Sequence, residues 1–267
     1  MKEILAKEFI SLMIDKWMAG LQHKRVLGDI IDSLNKEFIK DKKFIYDNQF
    51  EFSLVENKDN LRILHLVFWK DNASKKNIKN ILEKRKKNIY QIFKNINQRF
   101  HLKYNLDYLE KIFTFNQRHS LYPIQFGLEY NKDLLFLRLK VYLSITNQKF
   151  PLKEFSQYFN LEDGFLKKLF QDKQYDSIAF DFLKNGDYKF KFYAISNNNG
   201  FLYRINPPAE IVSKKQYVRI PQGILINKIP SKFIFKIDKD ILEFIKRNRL
   251  KIYYLTKEKD IKGLYFR

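Results

Sequence analysis

The sequence has 267 residues, a formal net charge of +21 and an aromatic content of 16%. This length, together with 45% hydrophobic residues, is enough for one large domain with a sizeable core, so a disordered chain is excluded. There is no cysteine, and the histidines lie far apart, so a disulfide framework is excluded and no metal-ligand spacing is found. No apolar run approaches a membrane span and the N-terminus is unlike a secretory signal, so we expect a cytoplasmic protein with no membrane partner.

The positive charge suggests an anionic partner. Basic proteins attract polyanions in general, so a nucleic-acid-binding protein is the first alternative. The lysines are, however, spread through every segment, and the abundance of Lys, Asn, Ile and Phe is what an AT-rich genome would encode. If much of the charge faces an internal cavity, a smaller anion such as a diphosphate is the better match.

The first half of the chain alternates pairs of predicted helices with pairs of predicted strands. In chain order, the elements are helices over 2–20 and 27–40, strands over 49–57 and 61–69, helices over 74–96 and 105–115, and a strand pair over 125–145. That last pair turns at Asn131-Lys132-Asp133. Every odd position from Leu135 to Ile145 is aliphatic, which indicates a strand with one apolar face.

The second half continues the same alternation with less regularity. Its predicted elements are helices over 151–159 and 163–171, a hairpin over 177–195, an irregular stretch over 196–222, a hairpin over 223–229 and 232–237, a helix over 240–247, and a hairpin over 249–256 and 261–267. The turn of the 177–195 hairpin is Asn185-Gly186, a common hairpin signal. The irregular stretch is predicted from its Asn, Gly and Pro residues.

Three of these strand pairs contain the same phrase, in which two cations and a tyrosine share one face. The members are Arg138, Lys140 and Tyr142; Lys189, Lys191 and Tyr193; and Arg249, Lys251 and Tyr253. For one hairpin alone, a solvated outer face explains the pattern equally well. Tyrosine is not required at the same place on three solvated strand faces. Its repetition therefore predicts that the three faces line one common lumen.

The order of elements predicts an α+β fold in a single domain, residues 1–267. Ten strands in sequential antiparallel hairpins can close into a barrel, which removes every sheet edge. Helices with one apolar stripe need a surface to cover, and the aliphatic strand faces supply it. We therefore expect helices outside and a polar, aromatic lumen inside.

The sequence resembles the ABBA prenyltransferases, and within them the cyanobactin-type peptide prenyltransferases. The resemblance depends on the stretch from Ile178 to Gly186 with the following Phe192-Tyr193-Ala194, on the hairpin from Gly127 to Tyr142, and on the C-terminal Leu250-Lys-Ile-Tyr-Tyr254. It extends from about residue 45 to the end. It implies a ten-stranded barrel ringed by helices and transfer of an isoprenyl group from a prenyl diphosphate, dimethylallyl or geranyl, to a side chain of a linear or macrocyclic peptide.

Prenyl transfer needs cations for the diphosphate and aromatic faces for the allylic cation. The candidate diphosphate ligands are Arg138, Lys140, Lys191, Lys236 and Lys251, and the candidate shielding residues are Tyr142, Tyr193 and Tyr253. Each lysine taken singly is equally well explained as a surface residue. By resemblance, Mg2+ is a candidate cofactor of the reaction, although the sequence shows no set of ligands for it. A monomer is expected.

The resemblance assigns the role of general base to a glutamate on the first barrel strand. Glu51 fits, because it lies on the face opposite Phe50, Phe52 and Leu54 and would point into the lumen. A structural salt bridge is its alternative role. His65, on the adjoining strand, is a candidate to line the site near the diphosphate, with a core histidine as its alternative.

The competing hypothesis is a nucleic-acid-binding protein such as a replication initiator. Residues 151–169 could form a helix-turn-helix, and the 177–195 hairpin could follow it as a wing. This hypothesis explains the charge but not the repeated cations and tyrosines elsewhere in the chain.

Overall fold

Ten antiparallel strands form the centre of the molecule, and seven helices of the described chain pack around them. The computed structural model describes residues 3–16, 21–36, 45–56, 58–69, 75–119, 124–131, 135–144, 150–170, 174–196, 199–206, 210–231, 235–258 and 261–267. The strands are β1 (Ile45–Val55), β2 (Lys58–Trp69), β3 (Ile124–Asn131), β4 (Leu135–Ser144), β5 (Gln174–Leu183), β6 (Tyr188–Ser196), β7 (Asn199–Asn206), β8 (Glu210–Leu225), β9 (Lys251–Glu258) and β10 (Ile261–Phe266). The helices are α1 (Glu3–Lys16), α2 (Leu21–Lys36), α3 (Lys75–Phe100), α4 (Leu106–His119), α5 (Leu152–Tyr158), α6 (Asp163–Phe170) and α7 (Lys239–Arg247).

Each strand pairs with its neighbours in sequence, and β1 pairs with β10, so the sheet closes into a barrel. The predicted fold class is therefore confirmed. The Asn185-Gly186 turn is also confirmed: the Gly186 φ of 95° lies in the left-handed region, which a glycine adopts without strain. Most of the predicted 131–133 turn lies outside the described residues.

The alternation of β4 shows how the sequence divides the barrel wall into two faces. Leu139, Val141 and Leu143 are fully buried against the helices. Lys140 and Tyr142, between them, line the internal cavity. The wall therefore buries apolar side chains outward and polar or aromatic side chains inward.

Phenylalanine rings join the helices to the barrel. Phe9 of α1 lies 4.7 Å from Phe52, 5.3 Å from Phe266 and 5.4 Å from Phe244 of α7, measured between ring centroids. These contacts fix two helices on the strands that close the barrel. Aromatic pairs of this geometry contribute about 0.5–1.5 kcal/mol each beyond the buried area.

Helices α5 and α6 cover the barrel and do not form a projecting DNA-recognition unit. Phe155 and Phe159 are buried, and the Phe159 ring lies 5.4 Å from Phe180 and 5.8 Å from Phe190 on the outer face of β5 and β6. The stretch predicted as a wing is thus a barrel hairpin. The nucleic-acid hypothesis is not favoured.

The prediction for residues 196–237 was wrong. The fourth hairpin is β7 with β8 and lies in the stretch predicted as irregular, except for residues 223–225, which were predicted as strand; 226–228 form a 3-10 turn and 235–238 have no regular structure. A register shift between Arg219 and Ile224 gives Pro221 a place where the ladder is interrupted, which is where a strand tolerates proline.

Helix boundaries also differ from those predicted. Helix α1 ends at Lys16 and α2 begins at Leu21, earlier than the predicted residue 27, while 17–20 and 37–44 lie outside the described residues. None of the described helices combines the length and the apolar character that crossing a membrane requires.

Candidate active site

The barrel encloses a cavity of about 410 Å³. This volume lies in the range of small-molecule sites. Side chains from the inner face of the wall line it, and they differ in character along the cavity. One region is cationic, a band of tyrosines runs beside it, and a carboxyl group and an arginine lie towards the rim.

Glu129 of β3 holds two cations in the cationic region. Its Oε1 accepts a hydrogen bond from Arg62 Nη2 at 3.1 Å, and its Oε2 accepts one from Lys140 Nζ at 3.0 Å. The strand register brings these residues together, because Glu129 lies opposite Arg62 on β2 and opposite Arg138 on β4. Burial alone would favour the neutral acid, but Lys140 and Arg62 hold the pKa of Glu129 well below its ordinary value.

Asp181 of β5 holds a second pair of cations. It is fully buried, forms an ion pair with Lys191 of β6, and lies 3.6 Å from Arg138 Nη1 through its Oδ2. Burial would raise the pKa of Asp181, but Lys191, Lys140 and Arg138 lower it below its ordinary value. Asp181 is therefore an ionised counterion between two strands of the cationic lining.

The cations of this region outnumber the two acids that contact them. The lining includes Arg62, Arg138, Lys140, Lys191, Arg204 and Lys215, and the acids that hold them are Glu129 and Asp181. Burial lowers the pKa of Lys191 well below its usual value, and although Asp181 opposes that change, Lys140, Arg204 and Arg138 add to it. An excess of cations attracts an anion.

Tyr265 of β10 lines the same cavity. Burial favours its neutral phenol, yet Lys215, Arg62 and Lys140 hold the pKa of Tyr265 below its ordinary value. The lowered pKa of Tyr265 agrees with the surplus of cations in the lining. This surplus is the feature of the cavity that suits an anion.

Five tyrosines of the described chain form a band around the lumen. Successive ring centroids lie 5.9 to 6.3 Å apart along Tyr142, Tyr193, Tyr217, Tyr254 and Tyr265. We call these five residues the tyrosine band. Burial keeps Tyr142 and Tyr193 as neutral phenols, because it raises the pKa of each well above its ordinary value. Neutral aromatic faces attract cations and exclude water.

A glycine allows one member of this band to take its position. Tyr217 of β8 extends across β7 and donates a hydrogen bond from its hydroxyl to the Ala194 carbonyl of β6 at 3.1 Å. A Cβ at Gly200 would lie 2.2 Å from the Tyr217 ring. Only glycine leaves room for the ring to cross the strand here.

Glu51 of β1 is the acid of the lumen that remains without an ion pair in the described structure. It is 3% exposed, and its Oε2 has no hydrogen-bond partner among the described residues. Burial raises the pKa of Glu51 to about 7, although Arg267 opposes the rise. A carboxyl group with a pKa near neutrality is suited to accept and release a proton.

Arg267, directly after the end of β10, lines the cavity and is half-buried. Its guanidinium carbon is 4.0 Å from the Tyr253 ring centroid and 5.5 Å from that of Phe68. Arg219 also lines the cavity at this end and is exposed. We call Arg267, Phe68 and Tyr253 the rim clamp.

Most of the predicted site residues meet in this one cavity. The structure brings together Glu51, Arg138, Lys140, Tyr142, Lys191, Tyr193 and Tyr253. Lys140 contacts Glu129, Lys191 contacts Asp181, and the rings of Tyr142 and Tyr193 lie 5.9 Å apart. Tyr253 lies in the rim clamp and not in the tyrosine band.

Lys251 is not part of this lining. The side chain is exposed and donates to the Gln222 carbonyl at 3.4 Å. The cause is a β-bulge in β9: Tyr265 pairs with Tyr254 and Phe266 with Ile252, so Tyr253 is an extra residue that resets the alternation. The expected face of Arg249, Lys251 and Tyr253 is therefore interrupted.

Lys236 and His65 also lie elsewhere. Lys236 is exposed in an irregular segment. His65 is buried on the helix-facing side of β2, where its ring lies 4.8 Å from Phe50, and burial followed by the charge of Arg85 lowers the pKa of His65 well below its ordinary value. His65 is therefore a core histidine, which was the alternative to a role in the site.

Sequence reasoning missed several lumen residues, and alternation could have found them. Arg62 lies between Leu61 and Ile63, and Asp181 lies between Phe180 and Phe182, so each is a charged residue on an otherwise apolar strand. The other missed residues of the lining are Glu129, Arg204, Lys215, Tyr217, Tyr254, Tyr265 and Arg267. Tyr217 fell in the stretch predicted as irregular.

The lumen acids are poorly suited to hold Mg2+. Glu129 and Asp181 each already contact two cations, so a metal ion would have to displace those contacts. The described residues contain no cluster of three or more acidic, histidine or cysteine side chains in metal-binding geometry. No step below uses a metal ion.

No protein-family model matches the sequence, and no curated protein matches it. Solved structures match over nearly the whole chain. The 5-dimethylallyltryptophan synthase of Streptomyces coelicolor is 10% identical, with a TM-score of 0.63 over 99% of this chain and 97% of that one. The prenyltransferase PriB, in a ternary complex with L-tryptophan and dimethylallyl thiolodiphosphate, is 10% identical, with a TM-score of 0.58 over 99% and 95%.

AnaPT from Neosartorya fischeri is 9% identical, with a TM-score of 0.52 over 97% of this chain and 91% of that one. Identities this low show a shared fold. The similarity extends over 99% of this chain, which includes the closed ten-stranded barrel. The chain therefore has the ABBA prenyltransferase barrel fold.

Proposed function

We infer that this protein is a prenyltransferase, which moves an isoprenyl group from a prenyl diphosphate to an aromatic acceptor. The observation that carries the proposal is the order of groups in the lumen. A region with more cations than acids lies beside the tyrosine band, and the Glu51 carboxyl group, whose Oε2 has no hydrogen-bond partner among the described residues, lies in the same cavity. Each group suits one requirement of the reaction.

The cationic region is suited to the donor's diphosphate. Arg62, Arg138 and Lys140 are cations that Glu129 and Asp181 hold in place, and Lys191 lies beside them in contact with Asp181. Preformed cations stabilise the negative charge that develops on a leaving diphosphate, without reorganising during the reaction. The bond between the allylic carbon and the diphosphate oxygen breaks, and its electron pair leaves with the diphosphate.

The tyrosine band is suited to the allylic cation that this step creates. Its rings lie on strands adjacent to those of the cationic residues, so the charge would form against aromatic faces. Cation–π attraction contributes about 0.5–2 kcal/mol per ring. Water, the competing nucleophile, is kept out by the same surface.

Glu51 is suited to the last proton transfer. The acceptor's carbon, nitrogen or oxygen atom forms a bond to the allylic carbon, and its proton passes to the Glu51 carboxylate. A base with a pKa of about 7 can take this proton at neutral pH and return it to solvent. The atoms and charges then balance, with diphosphate and prenylated acceptor as products.

The acceptor class follows in part from the similar structures. PriB holds L-tryptophan, and the Streptomyces coelicolor enzyme is named for a prenylated tryptophan. We propose an aromatic side chain as the acceptor, carried by an amino acid or, as the sequence resemblance to cyanobactin-type enzymes suggests, by a peptide. Dimethylallyl and geranyl diphosphate are the proposed donors.

The test is direct incubation with both donors and a panel of acceptors. The panel contains L-tryptophan, L-tyrosine, and short linear and cyclic peptides with one aromatic residue, and mass spectrometry detects the added prenyl mass. We expect at least one donor–acceptor pair to react. Absence of any adduct, together with no binding of either donor in calorimetry, would reject the proposed function.

A further inference from the structure

We propose that the rim clamp binds a carboxylate of the acceptor, so that the preferred acceptor is an aromatic residue with a free α-carboxylate. This inference rests on the proposed prenyl transfer and deepens it. It separates a free amino acid or a C-terminal residue, which have this group, from a macrocyclic peptide, which has none.

The contacts of Arg267 with two aromatic rings use none of its N–H groups. The guanidinium carbon lies 4.0 Å from the ring centroid of Tyr253 and 5.5 Å from that of Phe68. Its buried Nε has no hydrogen-bond partner among the described residues. The planar fork of a guanidinium matches a carboxylate, which can accept two hydrogen bonds from it.

The clamp is held in place by the β9 bulge and by a glycine. A Cβ at Gly223 would lie 2.9 Å from the Tyr253 ring, so this ring packs directly on the β8 backbone. The Gly223 φ of 62° requires glycine for a second reason. Backbone bonds between Lys251 and Arg267, both 3.1 Å, fix the other side of the clamp. Arg267 is thus a positioned cation.

The location of the clamp fits the proposed chemistry. Arg267 acts on the pKa of Glu51, so the two groups lie within electrostatic reach of each other in one cavity. An acceptor whose carboxylate contacts Arg267 would place its ring between the rim and the tyrosine band. Its nucleophilic atom would then face the allylic carbon and Glu51. Arg219, exposed at the same end, adds positive charge for an incoming anion.

The experiment compares L-tryptophan with L-tryptophanamide, which have the same ring but differ in the carboxylate. Binding to the donor-analogue-loaded protein is measured by calorimetry with dimethylallyl thiolodiphosphate, and kcat/KM is measured with dimethylallyl diphosphate. A charge-assisted bidentate contact predicts a preference for the acid of about 10- to 100-fold. In Arg267→Gln this ratio should fall to near 1.

Two further variants make the result specific. Arg267→Lys keeps the charge but loses the planar fork, so it should keep only part of the preference. Arg247→Gln is the matched control, because Arg247 also stacks on a ring, that of Phe244 at 6.0 Å, but outside the barrel. It should leave the ratio unchanged.

The outcomes separate this inference from the proposed function. If L-tryptophan binds more tightly than L-tryptophanamide but neither is prenylated, the clamp is supported and prenyl transfer to this acceptor is rejected. Turnover of both compounds without preference overturns the clamp and supports the transfer. Failure of both compounds to bind also overturns the clamp. Glycyl-tryptophan, tested beside its amide, distinguishes a peptide C-terminus from a free amino acid as the source of the carboxylate.

Discussion

A single carboxyl group, that of Glu51, links the chemistry of the lumen to the stability of the barrel. The side chain is 3% exposed, and burial raises its pKa to about 7. Its ionised form is the active base in the proposed reaction and the unfavourable form in the folded protein. Activity and stability should therefore respond to pH in opposite directions.

We expect turnover to rise with pH through an apparent pKa of about 7, because the base must be ionised. Glu51→Gln keeps the shape but accepts no proton, so it should reduce kcat by about 10²–10⁴-fold and abolish this pH dependence. The measurement is a kcat profile from pH 5 to 9 for both proteins. A folded Glu51→Gln variant with near-normal kcat would remove Glu51 from the mechanism.

The same substitution predicts a change in unfolding free energy. Below pH 4.5 the Glu51 carboxyl group is protonated in both the folded and the unfolded protein, so it has no effect on stability. Between pH 4.5 and about 7 it releases its proton only in the unfolded chain, so the free energy of unfolding falls as the pH rises. The full cost above pH 7 is about 3 kcal/mol. Relative to wild type, Glu51→Gln should gain about this amount between pH 4.5 and 8 in urea titrations. Glu8→Gln, at an exposed site on α1, is the control and should show no such gain.

Substitution of Asp181 should change the stability of the protein differently in the absence and in the presence of an anion in the cationic region. Asp181→Asn removes the counterion of Lys191 and leaves it facing Lys140, Arg138 and Arg204, so the unoccupied protein should lose about 3 kcal/mol of stability. Pyrophosphate supplies the missing negative charge. It should therefore raise the melting temperature of Asp181→Asn more than that of wild type.

The control for this experiment is Asp187→Asn, an exposed acid in the turn of the same hairpin. It should respond to pyrophosphate as wild type does. Equal stabilisation of Asp181→Asn and wild type would mean that the anion does not bind beside Lys191.

Among the elements, the β7–β8 hairpin depends on one glycine. The Gly200→Ala Cβ would lie 2.2 Å from the Tyr217 ring and 2.6 Å from the Ala194 carbonyl oxygen, so the ring must move and its hydrogen bond must break. We expect a loss of about 1–3 kcal/mol in unfolding free energy. Because the tyrosine band would be opened, more of the donor should be hydrolysed relative to acceptor prenylation.

Gly28→Ala is the matched control, since nothing lies within 4 Å of a Cβ there and the residue is inside α2. It should stabilise the protein by up to about 1 kcal/mol through helix propensity. A Gly200→Ala variant as stable as wild type would show that the Tyr217 ring does not require this position.

The elements also show what the sequence could predict and what it could not. Strict alternation over 135–144 identified the two faces of β4 and so placed Arg138, Lys140 and Tyr142 in the lumen. In β9 the same rule failed for Lys251, because a bulge shifts the alternation by one residue and leaves no periodic signal. The β7–β8 hairpin was missed because Gly200 and Pro221, residue types that usually mark loops, lie here at a ring contact and at a shift of the strand register.

At the scale of the whole molecule, the division of the wall into two faces explains how so distant a sequence keeps the fold. The outer face needs only apolar side chains of suitable volume, and at 10% identity the chain still matches 97% of a solved barrel. The inner face is not required for the core, so its residues can change with the ligand. The fold was therefore predictable from the pattern, and so was the inward position of Tyr142 and Tyr193, whereas the ion pairs of Glu129 and Asp181 and the stacking of Arg267 on Tyr253 required coordinates.

The pairing of β1 with β10 has a consequence for how the chain reaches this state. Nine of the ten strand pairs join strands that are neighbours in sequence, whereas the closing pair joins residues 206 positions apart, as in the contact of Lys262 with Glu56. Bringing such distant residues together has the largest loop entropy, so we expect closure to be the last and slowest folding event. Pulse-labelled hydrogen exchange during refolding should protect the amides of β3 to β6 before those of β1 and β10. A newly synthesised chain would then present two open strand edges until β10 is made and paired with β1, and this interval is when it is most exposed to aggregation.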